Sequence, residues 1–227
     1  MMAGFHTVLG APSLGAVSEI EQPRMEVWTL AAPAQVAELP PGVVVRKCAT
    51  RDWGKRSRSG AGDCAWGWVR EDQAGDASYA WDLKGAIDIE AHTWRGPFEA
   101  SHAAYMAFAG CTGATSHGYV LKQHRPGMGV LGAAGCVGYP QIYAPRPEWR
   151  NRTPEDFVRR CVDSWASAGF EHITGIVSAL SETDYHLRVA RALVEDGHGV
   201  AVWCWGKNVS RRTRAFVNAI HRLVYPV

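Results

Sequence analysis

The sequence lacks any long hydrophobic run. No stretch reaches the ~18 apolar residues that a membrane-spanning helix needs, so no membrane partner is expected. Charge of one sign is also missing: 24 Lys and Arg stand against 22 Asp and Glu, a formal net charge of +2. That balance offers no electrostatic pull toward nucleic acid or an anionic membrane. There is no Cys-x-x-Cys pair. Cys48, Cys64, Cys111, Cys136, Cys161 and Cys204 are scattered along the chain, without zinc-site spacing. Several lie inside apolar runs and read as reduced, packed thiols. Nucleotide and zinc-protease signatures are absent as well, with no Gly-x-Gly-x-x-Gly, P-loop or His-Glu-x-x-His. No cofactor and no metal are expected. The N-terminus lacks the basic start and apolar core of a secretory signal, and the expectation is synthesis in the cytoplasm.

What is present is a globular composition. Over 227 residues, 47% are hydrophobic and 20% charged, enough for a substantial core without covalent staples. Ten Trp residues leave two readings open. Their flat apolar faces either stack on sugar rings or fill the core.

The second half of the chain has the clearest pattern. Thr153-Pro154-Glu155-Asp156 is a helix start, with a capping Thr, Pro at the first helical position and acids in the first turn. Phe157, Cys161 and Trp165 give that helix a buried stripe, and Gly169 ends it. Residues 172–180 read as a buried strand. Ser181 and Asp184 open a second helix that Gly197 closes. Residues 199–205 make another buried strand, and Ser210 caps a last helix. Strands alternating with helices of this length imply parallel βαβ units.

The first half is less regular. Residues 25–31, 43–48, 86–91 and 140–144 read as strands, and Pro97 opens a helix running to 109. The expected fold class is α/β, a (β/α) barrel of irregular or shortened form, since ~250 residues is the usual size. The expected organisation is an N-terminal arm at 1–24 and a single domain at 25–227. The arm is expected to dock on the domain or on a neighbouring subunit, in a homo-oligomer or larger assembly. Residues 51–80 and the Gly-rich residues 110–138 read as long irregular loops of functional type.

The most suggestive motif is Asp88-Ile89-Glu90-Ala91-His92. Side chains two apart on a strand share a face, so Asp88, Glu90 and His92 line one side. Carboxylates in an apolar strand require partners or solvent. At the C-terminal end of a barrel strand they would face the mouth of a site. The plainer reading is a strand end neutralised by Arg46, Lys47 or Lys84.

Asp88-x-Glu90 at the end of an apolar strand resembles the Asp-x-Glu of barrel-type lysozymes (muramidases) and related glycoside-hydrolase-like barrels. The strand carrying Tyr143 and the Trp203-Cys204-Trp205 strand add to the likeness. The resemblance implies hydrolysis of a cell-wall glycan, with Glu90 as general acid and Asp88 as partner carboxylate. It implies His92, Tyr143, Trp203, Trp205 and Arg46 as the substrate-binding set. The chain departs from that family in having Lys84, Gly85 and Ala86 where a longer acidic series would precede Asp88.

Two alternatives stand beside this. One is a non-catalytic structural or glycan-binding component of a phage tail or virion, the arm serving assembly and release coming with lysis. The other is a metal-dependent hydrolase or deacetylase using Asp88, Glu90 and His92, with His117 or His124. Cys111 and Cys136, with His117 and His124 between them, offer a Cys/His pairing. Packed thiols are the commoner use of such residues.

Overall fold

A computed structural model describes residues 5–9, 20, 25–29, 39, 41, 43–48, 64–68, 85–90, 94–108, 110–143, 152–179, 183–204 and 209–226. Among them are nine strands: β1 (Phe5–Leu9), β2 (Met25–Thr29), β3 (Val43–Cys48), β4 (Cys64–Trp68), β5 (Ala86–Asp88), β6 (Gly113–His117), β7 (Val137–Gln141), β8 (Thr174–Ser178) and β9 (Gly199–Cys204). Five α-helices accompany them: α1 (Ala100–Phe108), α2 (Arg125–Ala133), α3 (Pro154–Ala166), α4 (Thr183–Glu195) and α5 (Arg211–Val224). Strand order follows chain order from β1 to β9, and the registered pairs are parallel. The fold is α/β with barrel-type connectivity, as the alternation of strands and helices predicts.

The chain divides into two compact units. The first comprises Met1–Arg46, Ile142–Arg159 and Thr174–Val227, and the second Lys47–Gln141 and Arg160–Ile173. In the first, β1 lies between β2 and β9, with Val8 in register with Trp28 and Trp203. Residues 5–9 of the expected N-terminal arm thus form a sheet strand. Here α4 packs against β8 and β9, and Gly175 leaves room for the Leu193 side chain of α4. Ser210 caps α5 as its position predicts, its Oγ accepting from the Thr213 amide at 3.0 Å.

In the second unit the core is Ile87, Ile89 and Ala114 from the strands, with Trp94, Phe98, Met106, Met128, Leu131, Trp165 and Phe170 from helices and loops. Burying each of the larger side chains contributes about 1.5–3 kcal/mol. Trp94 meets Phe98 edge-on at 4.9 Å, and its indole N–H donates to the Pro97 carbonyl at 3.0 Å. Trp165 donates to the Gly118 carbonyl at 3.0 Å. A Cβ on Gly138 would lie 2.7 Å from the Trp165 ring, so this glycine lets α3 settle on β7.

Two of the expected loops are corrected in the same way. Residues 110–138 contain β6, the whole of α2 and the start of β7. The glycines that read as loop signals are packing devices: a Cβ on Gly127 would fall 2.6 Å from the Phe98 carbonyl oxygen, and one on Gly132 2.7 Å from that of Ala168. Residues 51–80 contain β4, and the rest of that segment lies outside the described residues. The strand expected at 140–144 lies earlier, at Val137–Gln141.

Candidate functional site

The parallel register sets out the site. Ala86 pairs with Gly113, and Asp88 with Thr115. Thr115 pairs with Tyr139, and His117 with Gln141. Parallel partners share a face and strand residues alternate, so Ala86, Gly113, Thr115, His117, Tyr139 and Gln141 join Asp88 on one side of β5–β7. The other side carries Ile87, Ala114 and Gly138 and is covered by the helices of the second unit. The face opposite the hydrophobic core therefore gathers the polar side chains.

The layers rise toward the C-terminal strand ends. At the bottom, the Tyr139 ring lies over Gly113, where a Cβ would be 2.6 Å from Cε2. Asp88 and Thr115 form the next level, and both are buried, at 2% and 0% exposure. Glu90, His117 and Gln141 lie above, each half-buried. The Ile89 amide donates to the Thr115 carbonyl at 2.8 Å, and Ser116 Oγ donates to the Ile89 carbonyl. Together these extend the β5–β6 pairing past the end of β5 and fix the backbone on which Glu90 sits.

Gln141 ties the cluster together. Its Nε2 donates to Asp88 Oδ1 at 3.3 Å, to Glu90 Oε1 and, more weakly, to Thr115 Oγ1 at 3.4 Å. Two carboxylates thus converge on one amide nitrogen at the ends of parallel strands. Such a pair can take up and return a proton while the amide and hydroxyl orient it.

The other sequence-predicted residues are distributed differently. Arg46 lies in β3, with its side chain outside the described residues. His92 and Trp205 fall outside the described residues altogether. Tyr143, half-buried, and Trp203, half-buried on β9 in register with Ser178, belong to the first unit. The structure brings Asp88 and Glu90 together. Gln141, Thr115 and Tyr139 are members of the cluster that the sequence reading missed. Their signal was a run of alternate polar or hydroxyl side chains toward the strand ends, Thr115 and His117 on β6 and Tyr139 and Gln141 on β7.

His92, on which the metal reading rests, lies outside the described residues, and among the described residues no group of three His, Cys, Asp or Glu side chains is placed to hold a metal ion. His124 is fully buried, its Nε2 facing the Trp94 carbonyl at 3.2 Å.

No family model matches the chain, and no curated protein matches it. Solved structures align with it over most of its length. A protein provisionally assigned as a lyase/mutase from Burkholderia cenocepacia J2315 aligns with TM-score 0.44 and 13% identity, over 97% of this chain and 75% of the other. A provisionally assigned fructose-1,6-biphosphate aldolase from Coccidioides immitis aligns with TM-score 0.41 and 9% identity, over 98% and 88%. Likeness at this level says nothing of activity.

Neither is described as a glycoside hydrolase, a lysozyme or a virion protein. The reading as a peptidoglycan hydrolase, with its virion rival, is withdrawn on the local geometry. Glycosidase carboxyls flank the bond to be cut, whereas here the Gln141 amide occupies the space between Asp88 and Glu90.

Proposed function

We propose that the second unit carries a general acid–base site that moves a proton on a small polar carbonyl compound. The observation behind this is the convergence of Asp88 and Glu90 on Gln141 Nε2, on the polar face of β5–β7 at their C-terminal ends. Parallel α/β folds commonly place catalytic groups at that end. The donors and acceptors all lie within reach of one side-chain amide. That is the scale of a single functional group rather than a polymer repeat.

In this reading Glu90, the more exposed carboxylate, exchanges the proton with substrate. Asp88 is a positioning residue, holding Gln141 and through it Glu90. His117, half-buried at the same level as Glu90, supplies a hydrogen bond to the substrate's oxygen atoms. General acid–base assistance of this kind contributes about 10²–10⁴-fold in rate.

Proton exchange in D2O gives the test. Wild type, Glu90→Gln and Asp88→Asn are incubated with a panel of 2-oxo acids and hydroxyketones. Loss of the C–H signal next to the carbonyl is followed by proton NMR. Wild type is expected to wash out the signal of at least one compound, and Glu90→Gln to slow this by about 10² or more. Exchange equal in wild type and both variants, or no exchange with any compound, overturns the reading.

A further inference from the structure

The opposite, N-terminal ends of β6 and β7 hold a feature that the acid–base site does not use. Helix α1 ends at Gly110 (φ 96°) and α2 at Gly135 (φ 78°). In both, the next residue's amide reaches back into the helix: Cys111 to the Met106 carbonyl at 3.0 Å and Cys136 to the Leu131 carbonyl at 3.1 Å. This is the same left-handed stop twice over. Each stop turns its following side chain inward, and in both cases that side chain is a thiol.

The two corners are neighbours. Gly113 pairs with Val137, and the Val137 amide donates to the Thr112 carbonyl at 3.0 Å. Cys111 and Cys136 therefore sit one residue out of register on adjacent strand starts. With strands about 4.8 Å apart and a rise of about 3.3 Å per residue, their Cα atoms lie roughly 5.8 Å apart. Disulfides bridge Cα separations of about 4.4–6.8 Å. Cys136 Sγ donates to the Cys111 carbonyl at 3.3 Å, and Cys111 Sγ donates to the Gly113 carbonyl at 3.0 Å. Both are free and buried, at 8% and 3% exposure. Gly110, Thr112, Ala134 and Gly135 beside them are exposed, so the pair lies just under the surface.

We propose that Cys111 and Cys136 form a dithiol site that closes reversibly into a disulfide on reaction with hydrogen peroxide. The Cys136 sulfur attacks one peroxide oxygen: an S–O bond forms, the O–O bond breaks, and the released hydroxide takes up a proton as water. The Cys111 sulfur then attacks the sulfenic sulfur. The S–S bond forms, the S–O bond breaks, and a second water leaves with the Cys111 proton. Two thiols lose two electrons in total, and one peroxide gains them. The neighbouring Cys111 side chain holds the Cys136 thiol below its ordinary value, while Cys136 and burial push Cys111 well up. That split assigns Cys136 as attacking sulfur and Cys111 as resolving thiol. Cys161 provides an internal contrast. It is equally buried, its partner is the Tyr119 side chain rather than a thiol, and burial drives it far up.

The test uses the folded full-length chain, treated with hydrogen peroxide, quenched, alkylated in denaturant and weighed intact. The expected product has lost the mass of two hydrogen atoms and yields a Cys111–Cys136 cross-linked peptide that dithiothreitol releases. Cys161 stays alkylatable. Cys111→Ser is expected to give no such loss and to carry added oxygen at Cys136 instead. The wild-type measurement stands even where that variant fails to fold. Full alkylation of both thiols after peroxide overturns the proposal, as does a cross-link to any other cysteine.

Discussion

Gln141 shows how much one side chain decides at the candidate site. An amide nitrogen carries two hydrogens, yet three acceptors surround it, on Asp88, Glu90 and Thr115. The two carboxylates hold it, and Thr115 at 3.4 Å takes the remainder. Replacing this donor by a third acceptor reverses the logic. Gln141→Glu is expected to cost on the order of 2 kcal/mol at pH 7.5, because like charges crowd one another and two acceptors lose a donor. Thermal unfolding of wild type and variant at pH 7.5 checks this, and equal stability of the two would count against the arrangement. The carboxylates were legible from sequence because acids in an apolar strand stand out. Gln141 was not, because a neutral amide is unremarkable on any strand and its role appears only through the register with His117.

At the scale of elements, helix ends were more legible than helix bodies. Gly169 and Gly197 announce the stops of α3 and α4, and both adopt positive φ, at 91° and 81°. Phe170 and His198 then reach back to Trp165 and Leu193, repeating the corners of Cys111 and Cys136. The start of α3 was equally plain: Thr153 Oγ1 accepts from the Asp156 amide at 3.2 Å. Helix α2 was missed because Gly127, Gly129 and Gly132 carry the signature of a loop. Glycine weakens an isolated helix by about 1 kcal/mol per residue, but here close backbone approach decides. Gly132→Ala would place its methyl 2.7 Å from the Ala168 carbonyl oxygen and from the Gly169 backbone. Backbone cannot swing aside, so a loss of about 1–3 kcal/mol is expected despite alanine's better helix propensity. A matched Gly175→Ala meets only the Leu193 and Ile142 side-chain ends, which can rotate. Urea unfolding of the two variants should rank Gly132→Ala as the more damaging, and the reverse order would undo the argument.

At the scale of the whole molecule, parallel strands take their order from the chain, and from β5 onward they alternate with helices among the described residues. Stability is then a sum over many apolar contacts, and its pH dependence comes from the few titrating groups that folding perturbs. Burial holds His198 below the ordinary imidazole value of 6.5, against a smaller upward pull from Asp196. Burial likewise lowers His221. Both are therefore neutral in the folded chain at pH values where the unfolded chain takes up protons. The unfolded state binds more protons as pH falls through 6.5, so stability is full above that value and declines below it. Glu155 acts in a lower window. Its own backbone amide, at the start of α3, and then Arg188, bonded at 3.0 Å, hold its carboxyl below 4.5. That contribution is present above 4.5 and lost as pH falls further, and it is small because the pair is exposed. The melting temperature should thus fall first as pH drops below 6.5 and again below 4.5. His198→Gln, which cannot take up a proton, should flatten the first decline and leave the second in place. An unchanged first decline in that variant and in His221→Gln would mean that other groups govern it.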